Sequence, residues 1–179
     1  MTTTSKASGR WYMLTVIGGD RPGIVARLTD ALYRGGGNLG EASMARLGGN
    51  FAVMLMVEGV EAAALEKLVR PVTDELGLRL HVDPIEGALH RHQEPNVQVT
   101  VHGADRPGIV AQVTGALART GFNILDLYSD VGGTAERPIY VMIIDGHAPG
   151  GAETAESALA PLRANGIEVR ITALDTMIG

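Results

Sequence analysis

Apolar residues recur along this chain in two alternating rhythms, one of period two and one of helical period. Between Val97 and His102, Val97, Val99 and Val101 share one face while Gln98, Thr100 and His102 share the other, which predicts a half-buried strand. Trp11 to Ile17 predicts a matching strand earlier in the chain. Each is followed by a short polar turn and then by helical spacing. Ile24, Val25, Leu28 and Leu32 fall on one side of a first helix, and Ile109, Val110, Val113 and Leu117 on one side of its counterpart. Gly36 and Gly121 stand where a left-handed cap would end these helices. Second strands are expected over Asn38 to Leu47 and Asn123 to Val131, with turns at Gly48-Gly49 and Gly132-Gly133. Third strands follow at Ala52 to Val57 and Ile139 to Ile144. A second helix carries Leu65, Leu68, Val69, Val72 and Leu76, and its counterpart lies near Ala155 to Ala164. Pro71 and Pro161 fall within these helices and predict a kink or a short start. Closing strands at Leu78 to Val82 and Ile167 to Ile171 complete the order β-α-β-β-α-β twice. The fold class is α+β, two ferredoxin-like modules in tandem.

An internal repeat underlies this symmetry. Gly18-Gly-Asp-Arg-Pro-Gly-Ile-Val-Ala26 returns as Gly103-Ala-Asp-Arg-Pro-Gly-Ile-Val-Ala111, at an offset of 85. The same offset carries Thr29 to Thr114, Leu32 to Leu117, Gly36 to Gly121 and Asn38 to Asn123. Glu58-Gly59 matches Asp145-Gly146 at an offset of 87, which implies two extra residues in the second copy. The organisation expected is a polar tail over 1–10, a first module over 11–83, a linker over 84–95 and a second module over 96–175.

The third strands, Ala52-Val-Met-Leu-Met-Val57 and Ile139-Tyr-Val-Met-Ile-Ile144, are apolar at nearly every position instead of alternating. A sheet covered by helices on one face only should show a polar second face. Cover from another module or another chain is therefore expected, and with it a homodimer or larger assembly.

Composition narrows the functional classes. The chain has 179 residues, 45% hydrophobic, with net charge −5 and no cysteine. Mean hydropathy is +0.12 and the sequence pI is about 5.5. No basic stripe is present to neutralise phosphates, and only 4% of residues are aromatic, so a direct nucleic-acid reader is not expected. The lack of cysteine excludes disulfides, thiolate zinc sites and a cysteine nucleophile. No stretch is long and apolar enough to span a membrane, and Met1 to Arg10 is polar, unlike a signal peptide. The expectation is a cytoplasmic protein without a membrane partner.

Candidate chemistry concentrates at the repeated turn. Asp20 and Asp105 precede a helix as N-cap residues do, and with Pro22 lacking an N–H, Gly23 is the expected partner of the Asp20 side chain. Gly23 and Gly108 leave room for a group to approach the free N–H groups of the helix start, where the dipole favours an anion. Asn38 and Asn123 open the second strands and are expected beside this turn. Their amides carry both donors and acceptors, which suits a ligand with ammonium and carboxylate groups. A purely architectural reading stays open: Asp caps, Gly permits the turn and Asn fills an Asx-turn.

The Asp-Arg-Pro-Gly-Ile turn, a helix, Gly-x-Asn-Leu or Gly-x-Asn-Ile and then an apolar strand resemble the ACT domain. The resemblance covers roughly Trp11 to Val82 and Asn96 to Leu174. A stand-alone tandem pair of this size resembles the glycine cleavage system transcriptional repressor family. The resemblance implies binding of a small amino acid, glycine among the candidates, at module interfaces. It places that binding on Asp20, Gly23, Ile24 and Asn38, and on Asp105, Gly108, Ile109 and Asn123. It also implies regulation through a partner protein such as a transcription factor. Gly37 stands where the second copy has Phe122, so the two sites need not be equivalent.

Competing chemistries have less to stand on. His90-x-His92 lies in the linker without a third ligand nearby in sequence, and no metal or cofactor is expected. A ferredoxin-like enzyme such as an acylphosphatase would need an anion-cradling loop with a catalytic Arg and Asn. Arg21 and Arg106 precede proline at a helix start and are expected to face solvent, and no nucleophile–base pattern is visible. The protein is therefore expected not to be an enzyme. A non-catalytic structural or interaction module remains the alternative.

Overall fold

Leu14 and Val16 are fully buried while Thr15 between them is half-buried and Ile17 is exposed, so the first strand points alternate residues into a core. In the computed structural model the described residues are 10–85, 93–104, 107–134, 137–164 and 166–174. The chain divides into two compact units, Met1–His90 and Arg91–Gly179. The first contains β1 (Trp11–Gly19), α1 (Ile24–Arg34), β2 (Asn38–Leu47), β3 (Asn50–Glu58), α2 (Ala62–Leu76) and β4 (Arg79–Ile85). The second contains β5 (Val97–Ala104), α3 (Ile109–Ala118), β6 (Asn123–Thr134), β7 (Arg137–His147), α4 (Gly151–Arg163) and β8 (Glu168–Ala173). The sheets run β2-β3-β1-β4 and β6-β7-β5-β8. Their paired strands are antiparallel throughout. This is βαββαβ twice, the ferredoxin-like arrangement.

Each core lies between one face of a sheet and its two helices. In the first unit Leu14, Val16, Val53, Leu55 and Val57 meet Leu28 and Leu32 of α1 and Leu65 and Val69 of α2. In the second, Val97, Val99, Val101, Met142 and Ile144 meet Val113, Leu117, Ala155 and Leu159. Arg27 of α1 and Glu75 of α2 form a two-pronged ion pair on the surface. The hydrogen bond from Arg27 first, and its charge second, hold the Glu75 carboxyl below its ordinary range. Gly36 and Gly121 carry φ of +80° and +76°, as a left-handed helix end requires.

Neither proline shortens its helix. α2 runs from Ala62 through Pro71 to Leu76, and α4 from Gly151 through Pro161 to Arg163, so the expected short start is not found. A proline removes one helical hydrogen bond, and the apolar stripe of Leu65 and Val69 keeps the helix on the sheet regardless.

Register also corrects the alignment of the copies. Tyr12 pairs with Val57, and Val97 pairs with Gly146. The offset is thus 89 in β7 against 85 in β5, which makes four extra residues rather than two. They fall in the β6–β7 hairpin, because Arg46↔Phe51 matches Val131↔Tyr140 just before it. True register pairs Val57 with Gly146, and it explains Phe122. In the first unit Gly37 approaches Val57 so closely that an added Cβ would lie 3.1 Å from Val57 Cγ1. In the second the sizes are exchanged: the Phe122 ring covers Gly146, and a Cβ on Gly146 would run into that ring and come within 2.5 Å of the Asn123 carbonyl oxygen. The large group has moved from strand to loop with the space still filled, so Phe122 is a core residue.

This exchange predicts non-additive stabilities. Phe122→Ala should destabilise the second unit by about 3–5 kcal/mol. Gly146→Val should cost about 1–3 kcal/mol through overpacking. The double variant, which approaches the first unit's arrangement, should cost less than the two together by about 1–3 kcal/mol in urea denaturation. Strict additivity would refute the compensation.

Candidate functional site

The repeated turn is built by its proline and glycine. Gly23 has φ 86° and ψ −1°, the values of the third position of a type II turn whose second position is Pro22. Gly108 repeats this with φ 89° and ψ −2°. The helix therefore begins at Ile24 with Gly23 as its N-cap, and no side chain caps it. Asp20 is not the cap expected from the sequence, because the intervening turn sets it three residues too far upstream. Its carboxylate instead meets Arg46 of β2 at 2.6 Å, and its N–H donates to the Gly49 carbonyl at 3.0 Å. Asp105, its counterpart, lies outside the described residues, as do Arg106, His90 and His92.

The first helical hydrogen bond is from Arg27 N–H to the Gly23 carbonyl at 3.1 Å. The N–H groups of Ile24, Val25 and Ala26 thus stand outside the helical ladder, at the positive end of the dipole. They border an open hollow of about 520 Å³ that is also lined by Asp20, Gly23, Met44, Arg46 and Phe51. A Cβ added to Gly23 would meet nothing within 4 Å, so glycine there serves the positive φ and leaves the hollow's mouth clear. Arg21 is exposed. Gly108 and Ile109 occupy the same places at the start of α3, where Gln112 N–H donates to the Gly108 carbonyl at 2.9 Å.

Asn38 does not lie beside this turn. It pairs with Glu58 at the far end of the sheet, near Trp11 and Tyr12, and its amide donates to Glu58 Oε1 at 2.9 Å. The turn follows Gly19 at the other end of the nine-residue β1, about 30 Å away at strand spacing. Asn123 repeats this placement: it pairs with His147, and its amide donates to Gln93 Oε1 at 3.0 Å. Within one module the structure thus brings together Asp20, Gly23 and Ile24, but not Asn38. It likewise sets Gly108 and Ile109 apart from Asn123.

Both modules find their match in one family. An ACT domain profile matches residues 12–83, and a second matches residues 97–169. The chain belongs to the ACT-domain family. This tandem ACT protein is 28% identical over 153 residues to the glycine cleavage system transcriptional repressor of Escherichia coli (strain K12), covering 83% of this chain and 80% of that one. The Shigella flexneri repressor matches to the same extent. An unknown protein from Galdieria sulphuraria shares the fold at TM-score 0.77 and 22% identity, over 93% of this chain and 99% of that one. A crystal structure of a protein proposed to be a glycine cleavage system transcriptional repressor shares it at TM-score 0.69 and 16% identity, over 94% and 100%.

Arg46, Met44 and Phe51 were not singled out from the ACT sequence. Their signal was the Gly48-Gly49 hairpin, which folds the ends of β2 and β3 back toward the end of β1: Arg46 pairs with Phe51, and Phe51 with Gly18. Among the described residues no cluster of three His, Asp or Glu side chains could hold a metal ion.

Proposed function

We propose that this tandem ACT protein is a non-catalytic, amino-acid-sensing regulator inside the cell, with glycine the first candidate ligand. The observation that carries this reading is the hollow at the start of α1, where three helix N–H groups, Arg46 and Asp20 converge. The site takes in Asp20, Gly23 and Ile24 with Asn38, and Asp105, Gly108 and Ile109 with Asn123. A turn and a strand-opening asparagine lie at opposite ends of one sheet, so a ligand touching both must lie between modules, of one chain or of two. The relationship to repressors of the glycine cleavage system supports transcriptional regulation of that system as the output. The net charge of −5 favours action through a partner protein rather than direct contact with DNA.

A thermal-shift series over the standard amino acids tests for a ligand, since one that binds only the native state raises the apparent stability. With the responding amino acid, Asn38→Ala or Asn123→Ala should lower affinity roughly tenfold to a hundredfold, the loss expected for a hydrogen bond to a charged group. Both amides are exposed, so the melting temperature should hold within a few degrees. Calorimetry giving unaltered affinity in both variants and their double would leave these asparagines architectural.

Assembly follows from the outward sheet faces, where Met54 is 46% and Ile139 is 49% exposed. Light scattering at micromolar concentration should report a dimer or larger species, and a clean 18.8 kDa monomer would contradict it.

For DNA the expectation is negative. The purified protein alone should cause no sequence-specific gel retardation at physiological salt. Retardation without any added protein would overturn the partner model.

A further inference from the structure

Leu14 and Val16 of β1 enter the core, so Met13, Thr15 and Ile17 lie on the sheet face turned away from the helices. Register sets three rows across that face. Met56 and Asp83 flank Met13, Met54 and His81 flank Thr15, and Ala52 and Arg79 flank Ile17. Met54 and Ile17 are each 46% exposed, and Met13, Met54 and Met56 line an open hollow of about 190 Å³. Within these rows charge is confined to the edge strands. Arg79 and Asp83 are both exposed on β4, with the His81 ring 3.1 Å from the Asp83 carboxylate. Glu41 borders the hollow from β2.

The matching face of the second module is built differently. Gln98 and Asp145 stand where the first has Met13 and Met56, and the Gln98 amide donates to Asp145 Oδ1 at 2.9 Å. Asp126 and Asp130 lie on β6 and Glu168 on β8, with Arg170 as the opposing cation. Stacking two copies of this face brings carboxylates together. A two-fold axis along its middle row sets Asp126 over the partner's Asp130, and one along the strands sets Asp130 over the partner's Glu168.

We infer that two copies of the chain associate through the outward face of the first sheet, about a two-fold axis along the row Ser43, Met54, Thr15 and His81. Rotation about this axis keeps the stacked strands aligned, as packed sheets require, and lays the outer rows over each other. Ile17 then enters the hollow between the partner's Met13 and the partner's Met56, whose unbranched thioethers conform to it. On β4, Arg79 comes over the partner's Asp83, and Asp83 over the partner's Arg79. An arginine spans the roughly 10 Å between packed sheets. Glu41 comes over the partner's Ala45 and meets no like charge. An axis along the strands would instead set Glu41 over the partner's Asp83, so charge selects the first. This rests on the assembly expected above and deepens it, naming one face of two and the groups that meet there.

Charge exchange in the full chain tests this, read by light scattering and sedimentation over a dilution series. Arg79→Asp or Asp83→Arg alone places two like-charge pairs in each dimer and should weaken association roughly tenfold. The double variant restores both pairs and should return to within about threefold of wild type. Met54→Lys sets two cations at the axis and should leave a monomer with the far-ultraviolet dichroism of wild type, because Met54 is half exposed. Glu168→Lys, on the other face, should associate as wild type does. Single variants as tightly associated as wild type, a double variant no better than the singles, or dissociation by Glu168→Lys would each overturn this interface and leave the assembly reading standing. A wild-type chain that is monomeric at micromolar concentration would overturn both.

Discussion

A strand that returns through a helix runs in the same direction as the strand it left. In each module this sets the second strand parallel in sense to the first, with the antiparallel third strand between them. The turn after β1 then lies at one end of the sheet and Asn38 at the other. No small amino acid reaches from one to the other. A single module can offer a ligand the helix start with Asp20, or the asparagine, but not both. If the two groups share a ligand, binding and module pairing become one thermodynamic event, and each strengthens the other by the same factor.

Duplication has left the two modules alike in backbone and different in side chains at matched places. Gly37 with Val57 became Phe122 with Gly146, and both pairs fill the same space. Arg46 with Phe51 became Val131 with Tyr140, which does not conserve the electrostatics. A core exchange must be compensated, because a void or an overlap costs kilocalories. The aromatic ring is kept in both cores, at Phe51 and Tyr140, while its neighbour on the outer strand changes from the exposed Arg46 to the exposed Val131.

Period-two and helical patterns were legible because burial alternates with them: Leu14, Val16, Leu28 and Leu32 are all fully buried, as their spacing implied. The turn was legible as a turn. Its detail was misread, since Asp20 looks like a cap only if the type II turn at Pro22-Gly23 is counted as helix. Asn38 was misplaced because nearness in sequence does not say which end of a sheet a strand begins at. Likeness of residue type set Glu58-Gly59 against Asp145-Gly146, whereas register sets Val57 against Gly146. Arg46 was not legible as the partner of Asp20, because the two stand in separate segments and neither segment alone signals the pair.

The ion pair in the hollow has a further consequence for ligand choice. Asp20 is less exposed than Arg46, with 29% against 69% of the side chain accessible, so the carboxylate is the more fixed partner. A simple anion approaching the α1 start would gain the helix N–H groups and Arg46 but would meet Asp20 as a like charge. A simple cation would gain Asp20 and lose against the dipole and Arg46. A molecule carrying both charges a few bonds apart can satisfy the two ends of the pair at once, its carboxylate toward the helix and Arg46 and its ammonium toward Asp20. On the amino-acid-sensing reading proposed above, the hollow suits a zwitterion better than either ion alone, and amino acids have that form at neutral pH.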